Sequence, residues 1–191
     1  MYINIGKRID KVDNYILFVI KKYGHNRYLD IIMPMATFMG TLGILWIVIA
    51  ADLVLDKQYR AIGITIILTL IISTIVGEGI IKHLVRRARP CNKQDRVNLL
   101  IPKPISYSFP SGHTLSSFAV AEMLSMYFTE YKFIFIAIAF LIAISRLYLY
   151  VHYPTDVVAG IIIGIICSKL IFTILTQGFM ERLAVFYQNL F

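Results

Sequence analysis

Short polar clusters interrupt an otherwise apolar chain, and their residue types suit phosphoryl transfer. Lys82 begins "KHLVRRARP", in which Arg89 lies seven residues on, about two helical turns away and so on the same face. "PSGH" (110–113) opens one apolar run, "SR" (145–146) closes another, and His152 and Asp156 open the last. Arginine offers a planar fork to phosphate oxygens, and lysine a compact point charge. Lys82, Arg89 and Arg146 would therefore bind a phosphate. Ser111 and the backbone N–H groups of Ser111, Gly112 and His113 lie at an expected helix start, where free amides and the helix dipole favour an anion. Gly112 permits close backbone approach.

Two histidines divide the remaining chemistry: one attacks phosphorus and the other protonates the departing oxygen. His152 is the better nucleophile candidate. Asp156, one turn on, can accept a hydrogen bond from one ring nitrogen and leave the other free. His113, beside the anion-binding turn, is the better general acid. No carboxylate cluster is placed to hold a metal, so metal-independent chemistry without a cofactor is predicted. Each cluster alone has a plainer reading. A cation at the end of a membrane span snorkels to head groups, and a His–Asp pair at a helix start caps it.

The elements that must position these residues are membrane helices. Of 191 residues 58% are hydrophobic and 16% charged, and the mean hydropathy is +0.72. A soluble domain of this size could not hide so much apolar surface. A span needs about 20 apolar residues, and the runs 31–55, 60–82, 112–129, 133–150 and 155–176 qualify. The third is the shortest and most polar, which suits a helix shielded by its neighbours. Alternation puts every polar cluster on one side of the membrane, and that agreement favours chemistry over capping. The joints 56–60 and 129–132 are short, whereas 83–111 is long and holds four of the six prolines. A loop of that length is expected to be functional or disordered.

Before the first span, Ile5, Ile9, Val12, Ile16, Val19, Ile20 and Tyr23 form one helical stripe, with lysines and aspartates opposite. The segment reads as an interfacial amphipathic helix or a short sixth span. "MERLAVFYQNLF" at the C-terminus reads as a weaker interfacial helix. The expected fold is an all-α integral membrane protein, a bundle of five or six transmembrane helices in one domain over 1–191. Gly160 and Gly164 let two helix backbones approach. Glu78, four residues before Lys82, should pair with it, or help read a head group. Glu122 should make an interhelical hydrogen bond. Cys91 and Cys167 differ in depth, which disfavours a disulfide, and the N-terminus lacks the pattern of a cleavable signal peptide. The net charge of +8 fits anionic lipid, and no nucleic-acid partner is expected in so apolar a chain.

These residues resemble the type 2 phosphatidic acid phosphatases, which share their site with vanadium haloperoxidases and glucose-6-phosphatase. The family signature appears here as Lys82-x6-Arg89-Pro90, Pro110-Ser111-Gly112-His113 and Ser145-Arg146-x5-His152-x3-Asp156. The resemblance implies a six-helix core with its site at one membrane surface. It assigns phosphate binding to Lys82, Arg89, Ser111, Gly112 and Arg146, and nucleophilic attack through a phosphohistidine to His152. His113 becomes the general acid and Asp156 the partner of His152. The choice of attacking histidine rests more on the family than on spacing.

The implied activity is hydrolysis of a lipid phosphate or diphosphate head group, with undecaprenyl diphosphate, phosphatidylglycerol phosphate and phosphatidic acid as candidates. The loop 91–109 would shape that choice. The other class is a non-catalytic lipid-phosphate binder or transporter, which would need neither histidine. Orientation is balanced by charge. An interfacial N-terminal helix leaves most of the 19 Lys/Arg on the site's side. A crossing helix moves Lys7, Arg8 and Lys11 away, and the two sides then balance once Lys82, Arg89 and Arg146 are set aside. Resemblance to outward-facing bacterial members places the site at the extracytoplasmic face of the cell membrane, which the charge count accommodates only if that helix crosses.

Overall fold

The computed structural model describes residues 2–92 and 99–176, with side chains from residue 6 onward, and all regular elements among them are helical. Helix α1 (Tyr2–Val19) ends in a π-helical turn, Ile20–Gly24. α2 (Leu29–Gly40) and α3 (Ile44–Leu55) form one broken run. α4 (Arg60–Thr74) passes through a π-helical stretch, Ile75–Ile81, into α5 (Lys82–Val85). α6 (Gly112–Tyr127), α7 (Lys132–Tyr148) and α8 (Pro154–Thr176) follow. The expected interfacial helix at the C-terminus lies outside the described residues.

Four runs are long and apolar enough to cross a membrane: Leu29–Leu55, Arg60–Val85, Thr129–Tyr148 and Pro154–Thr176. α6 has 16 residues, about 24 Å of helix, and packs against α8, α7, α4 and α2. From Thr114 to Ser125 only Glu122 is not buried, so neighbours rather than lipid surround it. That setting lets a span carry hydroxyls whose partners are protein. The Trp46 indole N–H donates to Ser117 Oγ at 3.1 Å, and Ser125 Oγ donates back to the Ala121 carbonyl at 2.6 Å. Closeness to α8 depends on small residues, because a Cβ on Gly164 would come within 2.5 Å of the Leu115 carbonyl oxygen. Glu122 meets α8 through Lys169 at 3.9 Å, an ion pair between a largely buried carboxylate and an exposed ammonium where a hydrogen bond was expected.

Two features were not foreseen. The first run breaks where Leu42 (φ 52°) and Gly43 (φ 71°) adopt left-handed backbone, and the break turns Thr41 toward α6. The second concerns α1. Asp13 and Leu17 are fully buried while Ile9 and Val12 are 43% and 57% exposed, so the face on the protein centres on Asp13 and Leu17 and takes in only the Ile20 end of the apolar stripe. Its contacts all fall at one end of the bundle. Asp10 and Asp13 reach Arg87, Leu17 joins Tyr148–Val151, Lys21 sits over Tyr150, and His25 stacks on Tyr148. A helix rising about 1.5 Å per residue could not keep such partners while crossing the bundle. α1 lies across the end and is not among the runs long and apolar enough to cross a membrane, which favours the interfacial reading over a sixth span.

Candidate active site

Arg89 and His152 form the centre, 3% and 1% exposed. Arg89 follows the end of α5. Its guanidinium is fixed by loop oxygens: Nε donates to the Ser106 carbonyl at 2.7 Å, Nη2 to Ser106 Oγ at 3.0 Å and Nη1 to the Val151 carbonyl at 2.9 Å. Nη1 also lies 2.9 Å from His152 Nε2. Arginine has only donors, so Nε2 is the acceptor and the ring proton resides on Nδ1. Burial pushes the His152 pKa down to about 3, helped by the Arg89 and Arg146 cations and opposed by Asp156. The ring is neutral at physiological pH.

Nδ1 faces Asp156 Oδ2 at 3.6 Å, beyond hydrogen-bond range, and has no hydrogen-bond partner. The expected hydrogen bond is therefore a longer electrostatic contact. Asp156 itself is fully held. Oδ2 accepts from Ser108 Oγ at 2.5 Å and from the Tyr153 amide at 2.8 Å, and Oδ1 accepts from Arg87 Nη1 at 2.7 Å. It stands in the first turn of α8, whose amides favour an anion.

The start of α6 is the candidate anion seat. The Ser111 amide donates to the Asp156 carbonyl at 3.1 Å, so it ties α6 to α8 and is not free for a ligand. The Gly112 and His113 amides lie in the first turn, where N–H groups lack intrahelical acceptors. Ser111 Oγ pairs with Thr114 Oγ1 at 2.8 Å. A Cβ on Gly112 would collide with the Glu78 carboxylate, so Glu78 lies directly against this turn. Glu78 also pairs with Lys82 Nζ at 2.6 Å, as expected, and Nζ donates to Ser106 Oγ at 3.2 Å. Arg146 is 3% exposed and donates to Thr37 Oγ1; its buried Nε has no acceptor. His113 Nε2 lies 3.3 Å from Thr41 Oγ1, within electrostatic reach of Arg146, His152, Lys82 and Arg89.

The structure thus gathers every site residue predicted from the sequence, Lys82, Arg89, Ser111, Gly112, His113, Arg146, His152 and Asp156 with Glu78, at one end of the bundle. It adds Ser106, Ser108, Thr37, Thr41 and Arg87. Among these only Arg87 had a visible signal, its place inside "KHLVRRARP". Among the described residues no group of three His, Cys, Asp or Glu stands together as a metal site would require.

The PAP2 superfamily model matches residues 62–179, which contain every signature residue. The chain belongs to the PAP2 superfamily. It is similar to an undecaprenyl-diphosphatase of Sulfolobus acidocaldarius, 36% identical over 139 residues, 72% of this chain and 67% of the relative. Among solved structures it resembles LpxE of Aquifex aeolicus, with a TM-score of 0.73 and 28% identity over 85% of this chain and 95% of that one. It also resembles the transmembrane PAP2-type phosphatidylglycerolphosphate phosphatase of Bacillus subtilis, with a TM-score of 0.71 and 26% identity over 92% and 87% of the two chains. Both similarities, with the apolar spans, put this PAP2 protein in the membrane lipid phosphatase branch.

Proposed function

We propose that this protein hydrolyses the phosphate or diphosphate head group of a membrane lipid through a phosphohistidine on His152. The observation that carries the reading is the unprotonated His152 Nε2, 2.9 Å from Arg89 Nη1. A phosphate oxygen on Arg89 would hold its phosphorus beside that nitrogen. Lys82, Arg146 Nε and the free amides of Gly112 and His113 supply the other donors, aimed where charge spreads over the equatorial oxygens. Nε2 attacks phosphorus and the bond to the leaving oxygen breaks, with His113 giving that oxygen a proton. Water then attacks the phosphohistidine, His113 takes a proton back, and inorganic phosphate leaves.

No step draws on a metal. Undecaprenyl diphosphate is the favoured substrate, supported by the name of the Sulfolobus relative, with phosphatidylglycerol phosphate and phosphatidic acid as alternatives. The test is phosphate release by purified protein in detergent across this panel, with EDTA present. Turnover of the diphosphate is expected. Activity abolished by chelator would overturn the metal-free route, and binding of every lipid without release would favour a non-catalytic carrier.

The site end is proposed to face outward, as in the bacterial members the chain resembles. With α1 across that end, Lys7, Arg8 and Lys11 remain on the site's side, and the charge rule leans toward the cytoplasm. The family resemblance alone supports the outward placement. A Lys103→Cys variant in the site-side loop should react with a membrane-impermeant thiol reagent in intact cells. Labelling only after permeabilisation would reverse the orientation.

A further inference from the structure

Arg87 is the hub of a network that the family signature does not include. Nη1 donates to Asp156 Oδ1 at 2.7 Å and to Thr155 Oγ1 at 2.7 Å. Nη2 donates to Asp13 Oδ2 at 2.7 Å and to Asp10 Oδ1 at 3.2 Å. The guanidinium lies 4.0 Å over the Tyr153 ring. Burial disfavours the Arg87 cation, but Asp13 and Asp156 outweigh it and raise its pKa. Asp13 is fully buried. It accepts from the Thr155 amide at 3.0 Å and from Thr155 Oγ1 at 2.6 Å, so a carboxylate from α1 caps the first turn of α8. That turn carries Asp156, whose other oxygen faces His152.

We propose that Arg87 and Asp13 are positioning residues for the phosphatase reaction and act through Asp156. Arg87 fixes the Asp156 carboxylate from behind, and Asp13 fixes Arg87 together with the helix start that presents Asp156. α1 is then part of the catalytic frame, although it lies outside the segment that defines the family. Two buried carboxylates so close would repel, and the bidentate fork between them holds both. A lysine at this position would offer one compact ammonium in place of the planar fork that reaches both.

The inference rests on the lipid-phosphatase reading, so its test uses the full-length protein in detergent and the lipid phosphate that the wild type turns over. Arg87→Gln should lower kcat about 10²-fold, as expected when a catalytic group is misplaced by about 1 Å, with KM little changed. Arg87→Lys should recover part of the loss. In an Asp156→Asn background Arg87→Gln should cost less than about 3-fold, because a residue acting through Asp156 has nothing left to act on. A repeat of the full single-mutant loss in that background would overturn the proposal, as would wild-type kcat in Arg87→Gln. If Arg87→Gln does not fold, Asp13→Asn serves instead. Asparagine still caps a helix, so a retained melting midpoint with kcat lowered about 10-fold supports the proposal, and unchanged kcat refutes it. Full turnover by His152→Ala would mark failure of the phosphohistidine reading itself.

Discussion

The two histidines assigned to the proposed reaction sit in unlike surroundings. His152 is 1% exposed, set between the Arg89 guanidinium and the Asp156 carboxylate. His113 is only partly buried, and its ring meets a hydroxyl, Thr41, at 3.3 Å. The difference matches what each must do. A nucleophile gains from being fixed along one line of attack. A general acid must reach a leaving oxygen and then a water, so a lighter hold serves it better. The two carboxylates divide in the same way: Asp156 is fully buried on three donors, while Glu78 is 41% exposed and pairs with Lys82.

The comparison can be broken most severely at His152. Replacing it with alanine should lower kcat at least 10³-fold, because the covalent route disappears, and single-turnover phosphate release measures this. His113→Ala should cost about 10²-fold on a lipid phosphate but far less on 4-nitrophenyl phosphate, whose leaving group needs no proton. Equal losses on both would remove His113 as the acid. A third test uses pH. The His152 pKa is about 3 when folded, below the ~6.5 of an unfolded chain. Its contribution to stability is therefore whole above about 6.5 and is lost as pH falls toward 3, at most about 1.4 kcal/mol per pH unit. His152→Gln should flatten that stretch of the melting-midpoint profile. The smallest effect is expected at Glu78. Glu78→Gln removes a carboxylate from the anion seat, so phosphate should inhibit about 2- to 5-fold more tightly, the size of a half-exposed ion pair. Weaker inhibition would mean that Glu78 supports the ligand by holding Lys82.

Lys82, Arg89, His113, Arg146, His152 and Asp156 could be read because each carries a charge or an imidazole that lipid would not tolerate, so their positions at the ends of apolar runs were anomalous. The span boundaries followed from the same contrast, to within a few residues. What stayed hidden was neutral or misleadingly ordinary. Ser106, Ser108, Thr37 and Thr41 gain their importance only when folding brings them to Arg89, Asp156, Arg146 and His113. Asp13 was misread for a related reason. On an amphipathic helix an aspartate belongs to the wet face unless a cation from elsewhere meets it, and Arg87 lies 74 residues away along the chain.

The hydrogen bond between Arg89 and His152 has one further consequence. Under the proposed mechanism, the electron pair meant for phosphorus is already engaged by an N–H in the resting protein. A passing electrophile that offers Arg89 no replacement acceptor meets a quenched base. A phosphate oxygen can claim that N–H for itself, and in doing so releases the lone pair at the moment the phosphorus arrives. Recognition and arming are then one event, and the nucleophile stays silent until its own substrate unlocks it.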